Sequence, residues 1–162
     1  VAAVVYGIVH DEVTARVCLE YFTIFHPPVF PTADPTLLGL GWGVIATWWV
    51  GLPLGIALAI AARFGSRWPK FTAAQLVRPV ATTLIVVGAL ALVAGCWGWW
   101  QASHGSAQPP AWVASRITAS RQVRFVAAWF AHSASYLFGS LGGVTLSVMT
   151  WRQRKRIPNE SA

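Results

Sequence analysis

The stretch that decides the fold is Leu37–Ala62, LLGLGWGVIATWWVGLPLGIALAIAA, which has 26 residues and no charged side chain. Two further stretches, Val80–Trp100 and Val126–Trp151, have the same apolar character. Each reaches the ~20 residues, at ~1.5 Å rise per residue, that a helix needs to cross ~30 Å of hydrocarbon. No stretch alternates polar and apolar residues with a period of two, as strands of a membrane barrel do. The sequence therefore predicts an all-α integral membrane protein.

The composition of the whole chain supports this prediction. Of the 162 residues, 56% are hydrophobic and only 10% are charged, whereas a soluble domain has about 25% charged residues. The net charge of +7 would suggest nucleic acid as the partner of a soluble protein. Here the Lys and Arg residues flank apolar stretches, as in the cytoplasmic loops of membrane proteins. We therefore expect the lipid bilayer, and no nucleic acid, as the partner of this chain.

Residues 1–9, VAAVVYGIV, are also apolar. The helical pattern continues past His10, which favours a membrane span over the remnant of a signal sequence. The prediction is a small bundle of four transmembrane helices in a single membrane domain, 1–162. Its parts are helix 1 at about 1–22, an acidic outer connection at 23–36, helix 2 at about 37–63, a basic inner connection at 64–79, helix 3 at about 80–101, an outer connection at 102–122, helix 4 at about 123–151 and a basic cytoplasmic tail at 152–162.

The distribution of charge predicts the orientation of the bundle in the cell membrane. The connection 64–79 and the tail 152–162 are rich in Lys and Arg, which favours the cytoplasmic side. The first connection is acidic and is expected outside, so both termini are expected in the cytoplasm. Three arginines argue against this orientation: Arg116 and Arg121 in the predicted outer connection, and Arg124 at the start of the fourth predicted helix.

Small residues recur every four positions in the second and fourth predicted helices, and residues four apart share a helix face. Such faces allow two backbones to approach closely, which substitutes for a hydrophobic effect that lipid does not supply. We therefore predict that helices 2 and 4 pack closely together or dock another subunit. The packing positions are Gly39, Gly43, Gly51 and Gly55 in helix 2, and Ala131, Ser135, Gly139 and Gly143 in helix 4.

The stretch 7–27, GIVHDEVTARVCLEYFTIFHP, concentrates polar residues that the rest of the chain lacks. Glu12, Arg16 and Glu20 are spaced four residues apart, which predicts an acid–base–acid ladder on one helix face. If the helix leaves the membrane near His10, this ladder is a solvated extension of little energetic consequence. If the ladder lies within the bilayer, its ionisable groups are costly and typical of a functional site.

Histidines suggest the only candidate chemistry. His132 is predicted roughly two and a half turns inside helix 4, a depth that His10 could share. Together with His26, and with Asp11, Glu12 or Glu20, these residues could ligate zinc, copper or iron. Two histidines on facing helices could also bind haem axially. The competing interpretation is that His132 only makes a packing hydrogen bond with a neighbouring helix.

The functional prediction is a non-enzymatic accessory or structural subunit of a larger membrane complex, which associates with other membrane subunits or with itself. The main alternative is a metal- or haem-binding membrane protein with a site in the outer leaflet. A small transporter or membrane enzyme is less favoured, because no HExxH, CxxCH or GxSxG motif is present and no inverted repeat is visible.

Overall fold

The computed structural model of the protein describes residues 1–157, and residues 158–162, the end of the predicted tail, lie outside the described part. The described chain is all-α and contains no strand. Its elements are α1, Ala2–Val17; a π-helical turn, Tyr21–Phe25; α2, Pro35–Arg63; α3, Ala73–Ser103; the short α4, Ala111–Ala114; and α5, Ala119–Arg156.

Two helices of the described chain, α2 and α3, are long and apolar enough to cross a membrane. Four such helices were predicted, but among the described residues only α2 and α3 have the required length and composition. Helix α1 is too short, with 16 residues, because the chain leaves the helical conformation at Cys18. Helix α5 has 38 residues, but His132 and several serines and threonines lower its hydropathy.

Capping residues explain where the helices start. The Asp34 side chain accepts a hydrogen bond of 2.9 Å from the Leu37 amide, and Pro35 occupies the first turn, as favoured at a helix N-terminus. Thr72 and Gln75 form a reciprocal capping box, which stabilises an N-terminus for α3 at Ala73 rather than near residue 80. Helix α5 likewise starts before the predicted residue 123 and continues past residue 151.

The two principal helix pairs are α1 with α2 and α3 with α5, and α2 also contacts α5. The predicted helix 4 corresponds to α5. The packing glycines of α2 approach α1 rather than α5, which corrects the predicted partner of this face. A Cβ added to Gly39 would lie 2.8 Å from Glu12 Oε1, and one added to Gly51 would lie 2.6 Å from Ala3 Cβ. Gly55 has no neighbour within 4 Å, so it makes no such contact.

The small residues of α5 meet three different helices. Gly139 lies near Val87 of α3, and a Cβ at Gly143 would lie 2.8 Å from Leu54 of α2. Ala131 faces Gly95 of α3, at 3.3 Å from an added Cβ. Ser135 binds Tyr6 of α1. Helix α5 thus contacts each of the other long helices, and its small side chains allow this close approach.

The hydrophobic core lies at the polar-rich end of the bundle, around the break between α1 and the π-helical turn. Large apolar side chains along α2 and α3, such as Leu52, Ile56, Ile85 and Val93, are more than half exposed. The core residues are Ala15, Cys18, Tyr21, Phe22, Leu38, Trp42, Val113, Phe125 and Ala128.

Candidate functional site

Three ionisable side chains of the sequence-predicted set converge between α1 and α5. His10 and Asp11 come from the middle of α1, and His132 comes from α5. His132 Nε2 lies 3.0 Å from Asp11 Oδ1, and His132 Nδ1 lies 3.3 Å from His10 Nε2. Asp11 and His132 are buried, with 3% and 6% of their surface exposed. We call these three residues the His–Asp–His cluster.

Hydrogen bonds fix the orientation of the His132 ring. Its Nδ1 lies 3.0 Å from the carbonyl oxygen of Ala128, one turn earlier in α5, and its Nε2 faces the Asp11 carboxylate. A carbonyl oxygen can only accept a hydrogen bond, so Nδ1 carries the hydrogen of the Ala128 contact. Nε2 is then the ring nitrogen that faces the Asp11 carboxylate, and its lone pair is the one that can ligate a metal.

The cluster extends through hydrogen-bonding side chains toward the middle of the bundle. His10 Nδ1 lies 3.4 Å from Ser135 Oγ, which lies 2.7 Å from the Tyr6 hydroxyl. Tyr6 and His10 are one turn apart on α1, as are Ala131 and Ser135 on α5. Ser135 was predicted only as a packing position and Tyr6 was missed, although its spacing of four residues from His10 could have suggested it.

One oxygen of the cluster has no partner among the described residues. Asp11 Oδ2 is buried and makes no hydrogen bond. Buried polar atoms are nearly always satisfied, and leaving one without a partner costs about 1–3 kcal/mol, more for a charged group. The carboxylate therefore has an unused acceptor beside two imidazoles.

A cavity of about 90 Å³ lies beside the cluster. It is bounded by α1, α2, α3 and α5, and every member of the cluster lines it, together with Tyr6 and Ser135. Liquid water occupies about 30 Å³ per molecule, so this volume suffices for an ion with one or two small ligands. The cluster thus combines donor atoms with adjacent space.

The donor atoms suit a first-row transition metal. One donor atom from each of His10, Asp11 and His132 lies within 4.8 Å of the others. Two imidazoles and one carboxylate form the ligand set of catalytic zinc and of non-haem ferrous iron. A haem does not fit, because the imidazole centroids of His10 and His132 are 4.4 Å apart and no porphyrin could be placed between them.

His26, the third predicted histidine ligand, does not join the cluster. Its Nδ1 lies 2.8 Å from the Tyr21 carbonyl oxygen, and its ring packs 4.6 Å from the Trp42 ring, centroid to centroid. The ring of Tyr21 lies between His26 and His132, with centroids 4.9 and 4.4 Å away. Burial lowers the pKa of His26, and the hydrogen bond to Tyr21 opposes this by a smaller amount.

The predicted Glu12–Arg16–Glu20 ladder is formed only in its first half. Arg16 pairs with Glu12 and also donates to Thr36 Oγ1 at 3.0 Å. Glu20 instead pairs with Arg121 at 3.4 Å, because the extended conformation at Cys18 turns the chain away from the axis of α1. These residues tie α1 to the starts of α2 and α5 and contribute no donor to the cluster.

A wider groove runs along the other side of His10. It has a volume of about 500 Å³ and is bounded by α1, α3 and α5. Small residues form much of its wall, among them Gly88, Ala91, Gly95 and Ala131, and the exposed thiol of Cys96 also lines it. The groove is apolar apart from His10, Tyr6 and Thr14.

Comparison with known proteins gives no further guide. No protein-family model, curated protein or solved structure matches this chain.

Proposed function

We propose that this chain is a multi-pass membrane protein that binds a divalent transition metal at His10, Asp11 and His132. The observation that carries the proposal is the buried, unpartnered Asp11 Oδ2, which belongs to a cluster with two imidazoles that lines a cavity of about 90 Å³. A bound cation would satisfy that oxygen and offset the cost of burying the carboxylate. With three protein ligands, a coordination position remains open for water or another small ligand.

The bilayer placement is supported by α2 and α3, the two candidate spans. In our proposal two further segments cross the membrane with them, because each packs along one of these helices. The first is α1 continued by the π-helical turn, and the second is α5. Both termini lie in the cytoplasm, as the basic connection between α2 and α3 favours. The His–Asp–His cluster then lies inside the bundle, where ionisable residues are typical of functional sites.

Cobalt(II) titration of the protein in mild detergent tests the metal site. We expect one Co²⁺ per chain, with visible d–d absorption characteristic of imidazole and carboxylate ligation, and competition by Zn²⁺. Asp11→Asn and His132→Gln should each weaken binding by more than ~10-fold, since even loss of an outer partner of a ligand costs that much. His104→Gln is the matched control, because His104 is exposed and lies at the end of α3.

The proposal fails if Co²⁺ and Zn²⁺ bind no better to the wild type than to His132→Gln, or if His104→Gln loses as much affinity. Elemental analysis of protein purified without added metal is an independent readout. It should show a first-row metal that is lost in Asp11→Asn.

The accessory-subunit function is the second candidate, and the small-residue groove favours it. A wall of Gly and Ala lets a partner's transmembrane helix approach closely. Cys96 lies in this groove and is exposed, whereas Cys18 is buried. A thiol-linked photo-crosslinker in native membranes should therefore react at Cys96 and join the chain to one protein of defined mass, and Cys96→Ser should abolish this product. Crosslinks to lipid alone would contradict this function.

A further inference from the structure

The end of the bundle opposite the acidic residues is strongly basic. Within residues 1–157, all carboxylates lie between Asp11 and Asp34, whereas the other end carries eight cationic side chains. Helix α2 separates the two ends by 29 residues, or ~43 Å. The eight cations are Arg63, Arg67, Lys70, Arg78, Arg152, Arg154, Lys155 and Arg156.

Arg154 brings these cations from two parts of the chain onto one surface. It was predicted as part of a basic cytoplasmic tail, but it is completely buried. Its guanidinium donates to the carbonyl oxygens of Ala61 at 2.8 Å, Phe64 at 3.1 Å and Pro69 at 2.7 Å. The end of α5 is thereby fixed against the connection between α2 and α3. Because Arg154 is completely buried and its guanidinium faces these carbonyl oxygens, it acts as a positioning residue.

The surface that Arg154 organises combines cations with indole rings. Lys155 Nζ lies 3.5 Å from the Trp151 ring centroid and 5.1 Å from the Trp68 ring centroid. The guanidinium carbon of Arg67 lies 5.8 Å from the centroid of the Trp68 ring. Arg67 and Lys155 are exposed, and no carboxylate of the described residues pairs with either of them. Their charge is therefore available to an anion.

We propose that Arg67, Trp68, Trp151 and Lys155 form a binding site for the headgroup of an anionic phospholipid. Two cations from different elements suit a phosphodiester, and tryptophan prefers the depth at which lipid headgroups lie. A lipid is favoured over a soluble anion because the apolar faces of α2 and α3 continue directly from this surface. The inference rests on the proposed bilayer placement but is independent of the metal site.

Lipid titration of the detergent-solubilised protein tests this site. Phosphatidylglycerol should raise the unfolding temperature, and native mass spectrometry should show a retained lipid. Phosphatidylcholine should have neither effect. The double variant Arg67→Gln/Lys155→Gln should bind phosphatidylglycerol roughly 30-fold more weakly at low ionic strength, from ~1 kcal/mol for each cation removed. Lys155→Gln alone should lose an intermediate amount of phosphatidylglycerol affinity. This single variant provides the test if the double variant is unstable.

Arg116→Gln/Arg124→Gln is the matched control, because it removes two cations from the opposite end of the bundle and should retain lipid binding. Equal binding of phosphatidylcholine, or an equal loss in this control, would overturn the proposal. So would inorganic phosphate alone reproducing the full stabilisation. Co²⁺ binding is measured on the same samples. It should be unchanged in the double variant, which separates failure of this site from failure of the metal site.

Discussion

Asp11 and Arg154 are both charged and both buried, yet their surroundings differ. Arg154 donates hydrogen bonds to backbone carbonyl oxygens from all three of its guanidinium nitrogens. Asp11 uses one oxygen for His132 and leaves the other without a partner in the described chain. A satisfied buried charge holds two elements together, whereas a partly satisfied one retains capacity for a ligand. This difference separates the structural end of the bundle from its candidate site.

Arg154→Met should have the largest effect on stability. The substitution removes the donors of several buried carbonyl oxygens, and we expect the free energy of unfolding to fall by about 3 kcal/mol. Unfolding in mixed micelles of increasing denaturing-detergent content measures this change. Arg154→Lys should restore only part of it, because an ammonium lacks the planar fork that reaches separate carbonyls.

Arg152→Met is the control for that comparison, since Arg152 is an exposed neighbour on the same helix. It should change stability by no more than ~0.5 kcal/mol. If Arg152→Met and Arg154→Met behaved alike, the buried guanidinium would not be holding α5 to the connection between α2 and α3.

Gly43→Ala tests the packing of two helices rather than a buried charge. It should lower the free energy of unfolding by about 2 kcal/mol. A Cβ at Gly43 would overlap the backbone of Ile8 and lie 2.9 Å from the carbonyl carbon of Gly7, so α1 and α2 would have to separate. Gly55→Ala, in the same helix, meets open space and should be neutral or stabilising by up to ~1 kcal/mol. Equal losses in the two variants would mean that α1 and α2 are not in close contact at Gly43.

Asp11→Asn should have a smaller effect on the metal-free protein, within about 1 kcal/mol of the wild type. Asparagine keeps an acceptor for His132, and it removes the cost of burying a carboxylate whose second oxygen has no partner in the described chain. Its unfolding curve with chelator present, compared with that of Arg154→Met, is the direct test of the contrast between the two charges. A loss as large as that of Arg154→Met would make Asp11 a structural residue.

The sequence predicts much of this arrangement, and its errors have physical causes. Long apolar runs predict the helices, since a run without charges can form little else in lipid. The pairing of helices was wrong in part because a face of small residues does not specify which helix it packs against. Cys18 breaks the first helix without a Pro or Gly to signal it. Burial of Arg154 was not predictable, because it depends on carbonyl oxygens that converge only in the fold.

The sequence predicted the residue types of the candidate site, but not which of the candidate residues come together. His10 and His132 were paired from their expected depth, and Asp11 was named beside them. His26 was grouped with them on chemistry alone. The π-helical turn directs it instead toward Trp42 and the Tyr21 carbonyl, a local geometry that periodicity does not reveal.

His26 should have the smallest effect on stability and is intermediate between Asp11 and Arg154 in its surroundings. One of its ring nitrogens has a hydrogen-bond partner, and the ring is half-buried. Burial lowers its pKa in the folded protein, so the unfolded chain, with a histidine pKa of about 6.5, binds more protons as the pH falls. Stability from neutral His26 is therefore present above pH ~6.5 and declines below it. The unfolding temperature of the wild type should fall more between pH 7.5 and pH 5.5 than that of His26→Gln. Identical profiles for His26→Gln and the wild type would show that the fold does not disfavour the protonated ring of His26.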